Sequence, residues 1–296
     1  MNTRLFLSIS LFVLFTFACS KKSNTNNEIV NSEIDNPNVF TTEIGNAKIH
    51  LLSEMQQPGS PDILIGATPE IIEECAPDST YPSAINAFLI QTSGKNILVD
   101  TGLGILLSEN LQSLGVSVDS ITDILLTHMH GDHIGGLLKE GNPVFKNARL
   151  HILEREYLYW TVDNPTEQVK NIIEAYQKQT NLFNFSLESD ESEVLPGITP
   201  IPVFGHTPGH TAYLCEFGNE SMLIWGDLTH AMAFQMSYPE IAVIYDFNPE
   251  EAVTSRKLLL KEITENNTPV AGMHIAYPGM GQVKKIGDDK YEFHPL

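Results

Sequence analysis

Cysteine and basic residues are both scarce in this sequence of 296 residues. Three cysteines are too few for a disulfide scaffold. Lysine and arginine together number 17 against 37 aspartate and glutamate residues, which gives a formal net charge of −20. Because so acidic a surface repels phosphate backbones, the composition argues against a nucleic-acid partner. It places little restriction on small neutral substrates.

Charged residues make up only 18% of the chain, whereas 42% of the residues are hydrophobic. Together with 20 glycines and 17 prolines, this composition rules out a fully disordered or collagen-like chain. The length suits one large domain or two small ones. No internal repeat and no second linker follow Asn38.

The chain has one long apolar run at its start, Leu5–Ala18, which is short for a bilayer span but fits a signal-peptide core. Cys19 follows the small residue Ala18, as in a bacterial lipobox, so residues 1–18 are predicted to be a signal peptide and Cys19 the lipidated first residue. An ordinary signal peptide or an uncleaved anchor is the alternative. Each interpretation predicts an exported protein; lipidation predicts a lipoprotein at the periplasmic side or the cell surface, touching the membrane only through its anchor.

Residues 19–38 are predicted to be the lipidated cysteine and a flexible tether, because the segment is rich in Ser, Asn and Lys. Residues 39–296 are then the folded domain. Its two cysteines, Cys75 and Cys215, could pair in an oxidising compartment or remain buried thiols, the second interpretation being favoured for Cys215 by its apolar strand pattern.

Strand-like and helix-like segments alternate along the domain, which predicts a layered α/β fold. Glycine-containing turns between apolar runs predict three hairpins, closed near residues 93–95, 218–219 and 287–289. Asn248 followed by Pro249 and two acidic residues is typical of a helix start, and this helix is expected to run to about Asn266.

The densest group of potential metal ligands directly follows the short apolar strand 124–127. It consists of His128, His130, Asp132 and His133. The first two histidines point the same way in extended backbone, and the last two ligands diverge after a glycine that lets the chain turn. Such a cluster can serve two adjacent cations. Imidazole and carboxylate donors without thiolate suit Zn, Fe or Mn.

Further candidate ligands lie at the ends of later predicted strands, where loops converge on a site in many folds. These are His206, His210, Asp227 and His274. Taken singly, each could instead be a turn former or a helix cap. Their value comes from their combination with the first cluster.

The full pattern, His-x-His-x-Asp-His followed by His, Asp and His after three later strands, resembles the metallo-β-lactamase-fold hydrolases from about Asn86 to the C-terminus. The resemblance implies a four-layer αβ/βα sandwich of two mixed sheets flanked by helices. It also implies two divalent metal ions, zinc first, with iron, manganese or cobalt as alternatives. In this pattern one metal is held by His128, His130 and His210, the other by Asp132, His133 and His274, with Asp227 as the bridge.

The resemblance assigns Asp100 to the orientation of a ligand histidine, a helix cap or turn being the alternative. It assigns His206 to a supporting role beside the ligand His210. Phe88 and Trp160 are candidate pocket aromatics, for which core packing is an equal alternative. The remaining histidines are predicted not to bind metal: His50, His151, His230 and His294. The loops that shape the pocket are expected within 55–82 and 157–196.

The segments 225–230 and 273–281 look like the branch that contains methyl parathion hydrolase, close to the acyl-homoserine lactonases. The implied function is hydrolysis of a small, neutral, lipophilic ester or lactone by a hydroxide shared between the metals. Asp227 would bridge the metals and Asp132 would pass a proton to the leaving group. A phosphotriesterase is the first alternative, and a non-catalytic metal-binding surface lipoprotein is the alternative of another class. The sequence gives no oligomeric state.

Overall fold

Two mixed β-sheets, built from short strands of alternating buried and exposed side chains, form the frame of the protein. The computed structural model describes residues 36–185 and 193–296. The strands in these ranges are β1 (Val39–Ile44), β2 (Ala47–Gly59), β3 (Leu64–Ile65), β4 (Tyr81–Thr92), β5 (Lys95–Val99), β6 (Asp123–Leu125), β7 (Leu138–Lys139), β8 (Asn142–Pro143), β9 (Arg149–Leu153), β10 (Thr180–Phe183), β11 (Ile198–Pro202), β12 (Thr211–Phe217), β13 (Glu220–Ile224), β14 (Ala242–Val243), β15 (Val270–Ala271), β16 (Met280–Gly287) and β17 (Lys290–Pro295). The α-helices are α1 (Pro69–Cys75), α2 (Leu107–Ser113), α3 (Gly131–Ile134), α4 (Glu154–Leu158), α5 (Glu167–Ala175), α6 (Met232–Gln235) and α7 (Pro249–Asn266).

The predicted signal peptide, the lipidation site Cys19 and nearly all of the tether lie outside the described residues, so these assignments stay predictions. The first strand begins at Val39. No helix in the described ranges is long and apolar enough to cross a membrane.

The first sheet has seven strands in the order β1-β2-β4-β5-β6-β9-β10, and the second has six in the order β11-β12-β13-β15-β16-β17. Both sheets mix parallel and antiparallel pairs: β5, β6, β9 and β10 run parallel to one another, as do β13 and β15, and the other pairs are antiparallel. Two further two-stranded pairs, β3 with β14 and β7 with β8, lie outside the main sheets.

Apolar side chains fill three layers between these elements. The two sheets bury Phe88, Val99 and Ile224 against each other. Helices α2 and α5 cover the outer face of the first sheet, and α7 covers the outer face of the second through Leu260. Because a helix stripe and a sheet face each bury one apolar side, the result is helix, sheet, sheet, helix. The predicted four-layer αβ/βα fold is confirmed.

Local sequence signals place the hairpins and the long helix correctly. The pairs β4–β5, β12–β13 and β16–β17 are all antiparallel across their glycine-containing turns. Helix α7 begins after Asn248, whose side chain accepts a hydrogen bond from the Glu251 amide, and it ends at Asn266. These are short-range interactions, so the sequence alone specifies them.

Strand β2 runs much further than the expected segment 48–52. Its polar second half continues to Gly59 because it pairs with β4 as far as Tyr81, past a register shift between Ser53 and Met55. Cys75 and Cys215 are both free thiols, so the disulfide alternative is not realised. Burial raises the pKa of the Cys215 thiol, which makes it inert core.

Helix α7 offers a matched test of the outer apolar layer. We expect Leu260→Ala to lower the free energy of unfolding by about 2–5 kcal/mol, because the fully buried side chain leaves a cavity. Leu258→Ala on the same helix should stay within about 0.5 kcal/mol, since Leu258 is 66% exposed. Urea unfolding followed by circular dichroism measures both. Equal losses would contradict the placement of α7 on the second sheet.

Candidate metal centre

The site lies where strands of both sheets end. The cluster 128–133 follows β6, His206 lies between β11 and β12, Asp227 follows β13 and His274 follows β15. These strand ends meet at one edge of the sandwich, so donors distant in sequence come together.

A first group of donors is formed by His128, His130, His206 and Asp227. The His130 Nδ1 atom lies 3.0 Å from the Nε2 atoms of both His128 and His206. The His206 Nε2 atom is 3.2 Å from the Asp227 carboxylate. All four donor atoms lie within 4.8 Å of one another, the spacing of ligands around one ion.

A second group is formed by Asp132, His133 and His274. Asp132 lies 3.8 Å from the His133 Nε2 atom and 3.7 Å from the His274 Nε2 atom. Asp227 also reaches this group: its Oδ1 atom is 3.2 Å from His133 and its Oδ2 atom 3.0 Å from His274. One carboxylate therefore touches both groups.

The hydrogen-bonding pattern of these donors fits a divalent cation. Two ring nitrogens 3.0 Å apart can share one proton at most, yet His130 Nδ1 faces two such nitrogens. The buried atoms His133 Nε2 and Asp227 Oδ1 lie 3.2 Å apart, but neither forms a hydrogen bond with the other or with another described group. Buried polar atoms without partners are rare in native proteins and call for an ion or another ligand. Nitrogen and carboxylate donors without thiolate suit a borderline metal such as zinc.

The second ring nitrogen of most of these histidines is held by the protein. His133 Nδ1 lies 2.7 Å from Asp100, and His206 Nδ1 lies 2.9 Å from Asp246. His274 Nδ1 donates to the Ala84 carbonyl at 2.8 Å. Such contacts fix the ring orientation and the tautomer that presents Nε2 to a metal.

Asp100 lies at the end of β5, with a positive φ of 57°. It accepts hydrogen bonds from the Thr127 amide at 2.7 Å and the Thr127 hydroxyl at 2.6 Å, besides its contact with His133. The structure therefore places Asp100 behind the ligand loop.

The structure exchanges the expected positions of His206 and His210. His210 donates from Nδ1 to the Val203 carbonyl at 3.0 Å and accepts the Asp227 amide at Nε2 at 2.9 Å, so both its ring nitrogens are used by backbone. The loop turns tightly at Thr207, whose carbonyl accepts from the amides of Gly205 and His210. Because of this turn, the His210 ring faces backbone groups, whereas the His206 ring faces His130 and Asp227. The prediction of His210 as a ligand is wrong in this geometry.

Phe88 and Trp160 do not line the cavity above the donors. Phe88 is fully buried between the sheets. Trp160 donates to Glu156 at 2.6 Å, and its ring meets His130 edge-on with centroids 5.5 Å apart. Both side chains are therefore part of the core, as the alternative interpretation of the sequence predicted.

Burial and neighbouring charges shift the pKa values of the donors in different directions. Burial alone would raise the pKa of Asp227, but charge from His133, His274 and His128 holds it well below its usual range. Burial lowers the pKa of His130 to about 3, with a further contribution from His206. Burial also opposes protonation of His206, yet Asp227 and Asp246 outweigh it and raise its pKa to about 9. An ionised Asp227 and a neutral His130 are the forms that bind metals.

Sequence reasoning missed three residues at the site. His230 lies 3.0 Å from Asp227 and stacks on His274 with ring centroids 4.7 Å apart. Asp246 holds His206, and Glu156 binds the loops behind the donors. Only His230 carried a sequence signal, since it lies three residues after Asp227 in the same loop.

A cavity of about 580 Å³ opens above the donors. Its walls come mainly from the segments 57–63 and 81–85, with Tyr245 opposite. The first segment falls within the expected 55–82, whereas the described part of 157–196 contributes no lining residue. Among the described residues that line this cavity, none is Lys or Arg.

Residues 80–274 match the family model described as the metallo-beta-lactamase superfamily. The chain belongs to the metallo-β-lactamase superfamily. The resemblance stated from the ligand pattern is therefore confirmed.

Relatives of this superfamily member include hydrolases and lactonases. The N-acyl homoserine lactonase AiiA of Bacillus thuringiensis subsp. kurstaki is 26% identical over 163 residues, 54% of this chain and 58% of that protein. The match thus spans little more than half of that relative. The crystal structure of hydrolase AbOPH of the beta-lactamase superfamily aligns with a TM-score of 0.78 and 27% identity, covering 88% of this chain and 97% of that chain. AidC, a dizinc quorum-quenching lactonase in complex with a product, aligns with a TM-score of 0.79 and 24% identity over 87% of this chain and 97% of that chain, which shows the shared fold.

The metal content of two variants can show whether His206 or His210 is a metal ligand. We expect His206→Ala to lower the metal bound at saturation by about one ion per chain, because the first group loses a donor. His210→Gln should keep its metal and lose about 1–2 kcal/mol of stability, since it disturbs two buried hydrogen bonds to backbone. Elemental analysis after dialysis and urea unfolding measure the two effects. Loss of metal only in the His210 variant would restore the ligand set expected from the sequence.

Proposed function

We propose that this protein is a dinuclear metal-dependent hydrolase that opens lactones or cleaves neutral esters at the carbonyl carbon. The observation that carries the proposal is the position of Asp227, shared by two donor groups in a cavity whose described lining residues include no Lys or Arg. Shared carboxylates are typical of two-metal sites. The superfamily match and the lactonase names among its relatives support the same reaction class.

The first group, His128, His130 and His206, would hold one metal and the second group, Asp132, His133 and His274, the other, with Asp227 between them. Zinc is the first choice for these donors, with iron, manganese or cobalt as alternatives. Two such ions, when bound, supply Lewis acidity toward a carbonyl oxygen and a nucleophile from water at neutral pH.

The residues that line the cavity would orient the substrate and transfer the proton from water to the leaving group. Asp132 is the most accessible carboxylate of the site, with a side chain 30% exposed, and it lines the cavity. As a carboxylate it can take the proton that the attacking water gives up and pass it to the departing alkoxide, so that the proton balances. His230 lines the same cavity beside Asp227.

The electrostatics of the cavity favour a neutral substrate. Asp132 and Asp227 are acidic, and among the lining residues within 36–185 and 193–296 no Lys or Arg offers an ion pair to a substrate phosphate or carboxylate. The net charge of −20 acts in the same direction at long range. The apolar wall residues Ile63, Ile85 and Tyr245 suit a lipophilic group attached to the reacting ester.

The deciding experiment compares kcat/KM of the zinc-loaded protein at neutral pH for a long-chain acyl-homoserine lactone and a neutral aryl phosphotriester. We expect the lactone value to be higher by orders of magnitude and to reach about 10⁴ M⁻¹s⁻¹ or more, the low end of typical enzymes. The reverse order would make the protein a phosphotriesterase. Two bound metals without turnover of any ester or lactone would favour the non-catalytic metal-binding alternative.

Replacement of the shared carboxylate tests the two-metal site directly. We expect Asp227→Ala to reduce kcat/KM by about 10³-fold or more and to remove dinuclear binding, because both donor groups lose a ligand. Asp246→Asn is the matched control: it contacts only one ring of the site, His206, and should cost about 10- to 100-fold. An Asp227 variant with two metals and the wild-type rate would contradict the proposal.

We also propose export as a lipoprotein anchored at Cys19, from the sequence of residues 1–38 alone. In a bacterial host fed an alkyne-labelled fatty acid, the wild-type chain should incorporate label and partition with membranes. Cys19→Ala should abolish both. Label-free protein released as a soluble chain would favour an ordinary signal peptide.

A further inference from the structure

A buried glutamate lies directly behind the two loops that carry His128, His130 and His206. Neither the proposed reaction nor the ligand pattern accounts for it. Glu156 on α4 is 1% exposed. Among the ion pairs of residues 36–185 and 193–296, none includes it, so its charge is not met by a Lys or Arg there. A buried carboxylate is tolerated only when hydrogen bonds replace its lost hydration.

Four donors surround the Glu156 carboxylate, two on each oxygen. Oε1 accepts from the Met129 amide at 3.0 Å and from Trp160 Nε1 at 2.6 Å. Oε2 accepts from the Thr207 hydroxyl at 2.7 Å and from the Gly209 amide at 2.9 Å. Burial raises the pKa of Glu156, and these four hydrogen bonds, each of which needs an acceptor oxygen, act against that rise.

The four partners connect Glu156 to every histidine of the first donor group. Met129 lies between His128 and His130 in one loop, and Thr207 directly follows His206 in the other. Trp160, held by Glu156, packs its ring edge-on against His130. A single carboxylate therefore fixes the backbone of both loops that supply the three imidazoles.

The second donor group is fixed by other contacts. His133 is held by Asp100 and His274 by the Ala84 carbonyl, neither of which touches Glu156. The loop of His206 also packs directly on α4, since a Cβ at Gly209 would lie 2.5 Å from the Glu156 amide nitrogen. The backbone amides that Glu156 holds, of Met129 and Gly209, thus lie beside residues of the first group, whereas Asp132 and His133 follow further along the first loop, where Asp100 holds His133.

We infer that Glu156 is a positioning residue that holds the His128, His130 and His206 loops in register for one of the two metals. The inference rests on the proposed metal site. This role requires that both side-chain oxygens of residue 156 accept hydrogen bonds. A glutamine has only one oxygen, so in either orientation its NH₂ group would face a backbone N–H, that of Met129 or that of Gly209. Such a donor–donor contact moves one loop away from the other.

The test measures the affinity of each metal in Glu156→Gln by chelator competition, with stoichiometry from elemental analysis. We expect the affinity of one ion to fall by about 10- to 100-fold, while the other ion keeps its wild-type affinity. Cobalt substitution adds a spectroscopic readout, because only the absorption bands of the weakened site should change. Asp123→Asn is the matched control: it removes a buried carboxylate held by His151 at the far end of β6, and it should leave both affinities unchanged.

A second pair of variants covers the case in which Glu156→Gln does not fold. Thr207→Val removes one of the four donors and should weaken the same ion, whereas Thr207→Ser keeps the hydroxyl and should restore its affinity. Two ions at wild-type affinity in Glu156→Gln would overturn the inference and leave the proposed function standing. Equal weakening of both ions, or weakening in Asp123→Asn as well, would show a general loss of stability and overturn it too. A wild-type protein that binds no metal would overturn the proposed function and this inference together.

Discussion

The Asp227 carboxylate is the interaction on which the rest of the site depends. It lies within 3.6 Å of a ring nitrogen on each of five histidines. These are His128, His133, His206, His230 and His274. So many donors cannot be buried together without a charge to organise them, since each has lost its water. The shared Asp227 anion organises the cluster, and the proposed cations beside it would stabilise it further.

Holding this cluster requires that the two sheets keep one relative position. Tyr213 on β12 donates its hydroxyl to the Leu126 carbonyl at 2.6 Å, one residue before the ligand loop of the first sheet begins at Thr127. Asn86 on β4 donates to the Ile275 carbonyl at 2.8 Å, directly after His274. Each bond joins one sheet to a ligand-bearing segment of the other. The buried polar contacts therefore align the sheets where the apolar core alone would tolerate small shifts.

The sequence predicted those parts of the molecule that depend on neighbours along the chain. The turns of the hairpins and the cap at Asn248 are local, and His128 to His133 share one short loop. The choice between His206 and His210 is not local: both follow the same strand, and the turn at Thr207 that separates their rings is held by Glu156, which is distant in sequence. The polar half of β2 was missed for a related reason: its partner β4 stabilises it, and no periodicity marks it. Asp246 and Glu156 lie 40 and 50 residues from the histidines of the loop at 206, so only the fold reveals them.

Charge balance explains why the site is built from so many buried acids. Five carboxylates surround or support the donors: Asp100, Asp132, Glu156, Asp227 and Asp246. Within the described ranges, none of them forms an ion pair with Lys or Arg; the four aspartates face histidine rings, and Glu156 is held by hydrogen bonds from uncharged donors. Two divalent cations, bound as proposed, would offset the negative charge of these acids; burial raises the pKa of Asp100 and Glu156, and cations nearby would favour their ionised forms. The carboxylates behind the histidines orient the rings, and they would also compensate the charge of the proposed metals in a region from which water is excluded. A substrate that carried its own negative charge would upset this balance, whereas a neutral ester or lactone enters without changing it.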